Sequence, residues 1–127
     1  MQPLKVLVAD DHAAFRTLVT SFLRSRGVEV VGEAANGNEA VEQTDRCSPD
    51  LVLMDISMPK LNGFDATREI KKHHPQTKVV MLSSHAGEVY RKAALENAAD
   101  GYIEKDSMKT ALQTLIEKEQ GSVRVAI

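Results

Sequence analysis

The sequence predicts a doubly wound α/β fold of the flavodoxin-like kind: a five-stranded parallel sheet in the order 2-1-3-4-5 with five helices. Three observations predict it. Short apolar runs recur along the chain, rich in Val, Leu, Ile and Met, and several are almost uninterrupted. Continuous runs of this kind suit strands buried on both faces, as in a parallel sheet. Segments of helical periodicity separate the runs, and regular βα alternation places helices on both sides of one sheet, with right-handed crossovers. Five such units in 127 residues match the 2-1-3-4-5 order, in which the winding reverses between strands 1 and 3.

The elements follow in order. Strand 1 is Lys5–Ala9. Phe15, Leu18, Val19, Phe22 and Leu23 fall at i, i+3, i+4, i+7 and i+8, one face of helix 1, and Gly27 is its C-terminal cap. Strand 2 is Val28–Ala34, and a helix with a weaker stripe spans Gly37–Arg46. Strand 3 is Leu51–Met54, leading through Met58-Pro59 and a turn at Asn62-Gly63 into a helix over Gly63–His73. Strand 4 is Lys78–Leu82. The helix after it, Gly87–Asn97, has the thinnest apolar face, carried by Val89, Ala93 and Ala94, and a thinly anchored helix is a candidate for movement. Strand 5 is Gly101–Glu104. Met108, Ala111, Leu112, Leu115 and Ile116 form the stripe of the last helix, with Asp106 or Ser107 as its N-cap. Residues 1–127 are expected to form a single domain, since Gly121 to Ile127 are too few for another.

Composition narrows the function classes. At 43% hydrophobic and 27% charged, the chain has the make-up of an ordinary globular domain. A net charge of −2 offers no basic field for nucleic acid, so direct nucleic-acid binding by this domain is not expected. The apolar runs fall far short of the ~20 residues a membrane helix needs, and no signal peptide is expected. One cysteine, Cys47, makes no internal disulfide and reads as a small loop or helix-end residue in a cytoplasmic protein.

Carboxylates stand where the topology concentrates chemistry. In an open α/β sheet, sites form beyond the carboxyl ends of the strands at the reversal crevice. Asp10 and Asp11 end strand 1 and Asp55 ends strand 3, flanking that crevice. Ser83 ends strand 4 and Lys105 ends strand 5 on the same rim. Clustered carboxylates repel, so either some protonate or a cation joins them. An all-oxygen set suits a hard divalent ion such as Mg²⁺, which favours one or two carboxylates plus a phosphate. A hydroxyl and an ammonium opposite complete a pocket for a phosphoryl group, and Asp55 has the chemistry of a nucleophile forming an acyl phosphate. Individually, an aspartate after a strand is more often a cap or turn residue. The conjunction of two carboxylate sites, a hydroxyl and a lysine at four strand ends is what favours a functional site.

The stretches VLVADDH, DLVLMDISMPKLNGFD, VVMLSSH and ADGYIEKD occur in this order. They resemble two-component response-regulator receiver domains from Lys5 to about Glu119, and most closely receivers that precede a helix-turn-helix DNA-binding domain. The resemblance implies that Asp55 is the phosphoacceptor and that Asp11 binds Mg²⁺, with Asp10 positioning metal-bound water and the Ser57 backbone carbonyl as the third protein ligand. It implies that Ser83 and Lys105 hold the phosphoryl oxygens and that Tyr102 follows the strand-4 hydroxyl inward as the switch. Ser57 and His85 would flank the attacking water and tune the phosphoryl lifetime. The implied partners are a sensor histidine kinase or phosphotransfer protein and an output domain or target protein, with a possible homodimer on phosphorylation. Tyr102 taken alone reads as a half-buried strand aromatic, and Ser57 and His85 as solvated loop residues. His12, His73 and His74 read as surface residues, with the last two meeting the helix dipole before Pro75.

Three positions depart from the family pattern. Asp106 stands where many receivers have proline, leaving the geometry of the Lys105–Asp106 bond open. Ala98 stands where glycine is common, so Asn97 is the candidate for a left-handed helix cap. Ser83 replaces a commoner threonine but keeps the hydroxyl. No output domain is expected within residues 1–127. The chain reads equally as a complete single-domain regulator or as the amino-terminal part of a DNA-binding one. Two other classes compete with a phosphorylated switch. A small hydrolase using Asp55 would need a second carboxylate as general acid, commonly two residues on, where Ser57 stands. A degenerate receiver binding partners without phosphorylation would usually lack one of the five polar positions, and all five are present.

Overall fold

A computed structural model describes residues 2–84 and 87–125. The elements are β1 (Lys5–Ala9), α1 (Ala13–Ser25), β2 (Glu29–Ala34), α2 (Gly37–Cys47), β3 (Leu51–Asp55), α3 (Gly63–His73), β4 (Lys78–Ser83), α4 (Glu88–Glu96), β5 (Gly101–Glu104) and α5 (Met108–Val125). A 3-10 turn over Lys105–Ser107 leads into α5, and no cis peptide occurs among the described residues. The strands form one parallel sheet in the order β2-β1-β3-β4-β5, as expected.

The pleat sorts the apolar residues of each strand onto two faces. Val6, Val8, Leu51, Leu53, Val80, Leu82 and Ile103 pack against Val19 and Leu23 of α1 and Leu112 and Ile116 of α5. Leu7, Val52, Met54, Val79, Met81 and Tyr102 face Ala40 of α2, Ala66 and Ile70 of α3 and Ala94 of α4. Both faces of β1 and β3 are closed, which is why their runs are continuously apolar. Among the described residues, no helix is long and apolar enough to cross a membrane.

Local chemistry sets the helix ends. Gly27, at φ +76°, sends its N–H to the Arg24 carbonyl while the Val28 N–H reaches the Leu23 carbonyl, closing α1 as expected. Asn36 caps α2 by accepting from the Glu39 N–H, and the Glu39 carboxylate accepts from the Ala35 N–H in return. Asn62 caps α3 by accepting from the Asp65 N–H. The close of α4 differs from expectation. Asn97 stays at φ −100° and its side-chain amide donates to the Ala93 carbonyl, whereas Ala98 adopts φ +71°. With Ala99 N–H on the Ala94 carbonyl and Ala98 N–H on that of Leu95, the glycine-type cap forms on an alanine, at a cost of about 1 kcal/mol.

Two further differences concern α1 and α4. Leu18 is 45% exposed, because only Val19 and Leu23 of the predicted stripe reach fully into the sheet. In α4 only Ala94 is buried, and Val89 is 77% exposed, so the anchoring is even thinner than its sequence implied.

Two glycines let the loop after β3 pack closely, one against the start of α2 and one against the end of β3. A Cβ on Gly37 would lie 1.9 Å from the Leu61 carbonyl oxygen, and one on Gly63 would lie 2.2 Å from the Asp55 carbonyl oxygen. Backbone cannot yield as a flexible side chain does, so Gly63→Ala is expected to destabilise by about 1–3 kcal/mol through overpacking. Urea unfolding of that variant at an unchanged midpoint would contradict this contact.

Candidate functional site

β3 and β4 each run one residue further than their apolar runs indicated, so Asp55 and Ser83 are the last residues of strands. That one residue matters for electrostatics: Asp55 is 5% and Ser83 1% exposed. Asp10 follows β1 directly and is wholly buried. The pleat puts Asp55, paired with Leu82, on the α1/α5 face, while Ser83 continues the Met81 row on the face of α3 and α4. Tyr102, paired with Met81, lies on that same face one strand over.

Lys105 reaches across the rim from the turn after β5. Its Nζ donates to Asp10 Oδ2 at 2.8 Å and lies 3.3 Å from Asp55 Oδ1. The ammonium sits over the Phe15 ring, 4.3 Å from its centroid. Phe15, assigned to the core stripe of α1, thus also walls the site. Burial and the neighbouring Asp10 charge push the Asp55 carboxyl up from its usual 3.8 to about 6, against the opposing pull of Lys105. Burial alone would lower the Lys105 ammonium, but the hydrogen bond to Asp10 and the charge of Asp55 outweigh it and raise it.

Asp11 is exposed beside them. One ligating atom each from Asp10, Asp11, His12 and Asp55 lies within 4.8 Å of the others. Ser57 is the second residue of the loop after β3 and is exposed. His85, the other expected tuning residue, lies outside the described residues. Tyr102 is 7% exposed, more deeply buried than a half-buried strand aromatic, and the Arg91 guanidinium carbon is 5.4 Å from its ring centroid.

Sequence reasoning missed Arg16 at this rim and read His12 only as a surface residue. Arg16 Nη1 donates to the Asp10 carbonyl at 2.5 Å while its Nε donates to Glu33 at 3.0 Å, tying the β1–α1 turn to β2. Its signal is positional: one helical turn beyond the aspartate pair, on the face turned back toward it. His12 is exposed, as expected, yet its Nδ1 lies 3.3 Å from Asp11 Oδ1. His73 and His74 pair with Glu69 and Asp45 away from the site.

A family model described as the response regulator receiver domain matches residues 6–117. The chain belongs to this family. The receiver is 40% identical over 119 residues to the response regulator protein VraR of Staphylococcus saprophyticus, covering 91% of this chain and 56% of that protein. It therefore spans about half the length of the curated relatives it matches. Among solved structures, the response regulator domain of CheB from Thermotoga maritima matches with a TM-score of 0.84 at 34% identity, over 92% of this chain and 96% of that one. The receiver domain of a sensor histidine kinase from Pseudomonas aeruginosa, with a magnesium ion coordinated in its active-site cleft, matches with a TM-score of 0.82 at 28% identity, over 92% and 97% of the two chains. The receiver carries its acidic cluster at the carboxyl rim of the sheet.

Proposed function

We propose that this receiver takes a phosphoryl group onto Asp55 from the phosphohistidine of a sensor kinase or phosphotransfer protein, in a Mg²⁺-dependent reaction, and thereby switches a protein surface. One observation carries the reading: a buried carboxylate at a strand end, raised to about 6, with a lysine ammonium 3.3 Å away. An Asp55 oxygen forms a bond to phosphorus as the nitrogen–phosphorus bond of the donor breaks, and the leaving imidazole takes up a proton. Asp55 at neutral pH is ionised and therefore nucleophilic, even with its raised value. Lys105 supplies positive charge to the phosphoryl oxygens and Ser83 a hydroxyl.

The donor set fits a hard divalent ion. Asp10, Asp11 and Asp55 bring three carboxylates against the single ammonium of Lys105, and their oxygens cluster closely enough to share one cation. Asp10, Asp11, Asp55 and the Ser57 carbonyl would hold Mg²⁺, which supplies the positive charge that lets an anionic phosphoryl group approach. The receiver is then a signalling switch that catalyses only its own phosphorylation and dephosphorylation, with Ser57 and His85 setting the lifetime.

Ser83 and Tyr102 share a sheet face on adjacent strands. A hydroxyl drawn toward phosphorylated Asp55 vacates space that Tyr102 can enter, and thinly packed α4 is the element free to respond. The surface of α4, β5 and α5 would then meet an output domain, a target protein or a second copy.

The test is intact mass after incubation with acetyl phosphate. Wild-type protein with Mg²⁺ is expected to gain one phosphoryl group, and protein without Mg²⁺ or carrying Asp55→Asn to gain none. Absence of any gain in wild type would leave a phosphorylation-independent binding module.

A further inference from the structure

The acidic rim holds a fourth donor of a different chemical kind. His12 Nδ1 lies 3.3 Å from Asp11 Oδ1 and 3.5 Å from Asp10 Oδ1. Ligands adjacent on an octahedron with bonds of about 2.1 Å are about 3.0 Å apart, so both distances from the imidazole are close to the spacing of neighbouring ligands on one ion. The backbone that carries the ring is also held: the His12 main-chain N–H donates to Asp10 Oδ1 at 2.8 Å, where β1 turns into α1. The imidazole is 73% exposed, so binding an ion there requires no burial of a new group.

We propose that His12 is a nitrogen ligand of the divalent centre, making it a mixed site that takes borderline ions of the Mn²⁺, Co²⁺ or Zn²⁺ class as well as Mg²⁺. The inference rests on the reading of the acidic cluster as a cation site and extends it to ion selectivity. A neutral imidazole adds little to Mg²⁺, which is hard and prefers oxygen. It adds much more to later first-row ions, so His12 decides which ion the receiver prefers rather than whether it binds one.

Mn²⁺ electron spin echo spectroscopy on the whole chain reads the ligand directly, and calorimetry with Co²⁺ and Mg²⁺ reads the selectivity. Bound Mn²⁺ is expected to show an imidazole nitrogen coupling that His12→Gln removes. The same substitution is expected to weaken Co²⁺ at least about tenfold, since even outer-shell partners of metal sites cost that much, and Mg²⁺ by no more than ~3-fold. Bound Mn²⁺ without nitrogen coupling, or equal losses for Co²⁺ and Mg²⁺, would overturn the assignment and leave the cation site intact. Tighter binding of every ion in His12→Gln would make the imidazole a competing donor to the carboxylates, also against it. No ion binding at all would overturn the cation site itself.

Discussion

Asp55→Asn is expected to stabilise the metal-free receiver by up to about 3 kcal/mol at pH 7 while abolishing phosphorylation. The reason is the cost of keeping a carboxylate charged where it is 5% exposed and close to Asp10. Its value rises from 3.8 in the ordinary state to about 6 in the fold. The folded protein therefore holds this proton more tightly than the unfolded chain does. The stability that this proton contributes is complete below the unfolded value and is lost as pH climbs through about 6. About two pH units at 1.36 kcal/mol each set the upper bound. The neutral amide keeps the shape and never ionises. Urea unfolding of both proteins across this range should show a gap that opens as pH rises toward 6 and then stays constant. Mg²⁺ should narrow it, because a cation bound to the native carboxylates stabilises wild type by mass action. A variant no more stable than wild type at pH 7 would mean that Asp55 is not strained by its surroundings.

Lys105→Ala is expected to act in the opposite direction, costing about 3 kcal/mol or more without metal. The ammonium is the donor to Asp10 Oδ2 at 2.8 Å and the near counter-charge of Asp55. Asp10 is fully buried, so water cannot replace the lost partner without opening the rim. The ammonium also leaves its place over the Phe15 ring. Phosphorylation by acetyl phosphate should slow roughly 100-fold, the scale seen when one preorganised donor to a developing charge is removed. Added Mg²⁺ should restore more stability to this variant than to wild type, because the ion supplies the missing counter-charge. Combining the change with Asp55→Asn should show non-additivity of at least ~0.5 kcal/mol, as groups in one charge network do. Strict additivity would separate Lys105 from Asp55 energetically.

Much of the site is legible before folding is considered. The aspartates interrupt apolar runs at the ends that the predicted topology brings together, and the observed strand order does bring Asp10, Asp55 and Lys105 into contact. The thin stripe of α4 is equally legible, since an element with one buried residue has little apolar sequence to show. What could not be read were matters of one residue or one ångström. Asn97 is the better left-handed residue by propensity, but its amide bonds to the Ala93 carbonyl and the turn falls on Ala98. Leu18 fits the helical stripe of α1 by spacing and still faces outward. Arg16 and His12 look like ordinary helix-start polar residues until the β1–α1 turn folds them against Asp10 and Asp11.

The alternation of apolar runs with helical stripes by itself determined the number of strands, their parallel arrangement and the rim that carries the carboxylates. These depend on hydrophobic periodicity, which is written in consecutive residues. Only the tertiary structure decided that Lys105 bonds to Asp10 across 95 positions of chain, and that the end of β3 is buried enough to lift the Asp55 carboxyl to about 6. Distance and dielectric between side chains far apart in sequence arise from packing, and no local pattern encodes them.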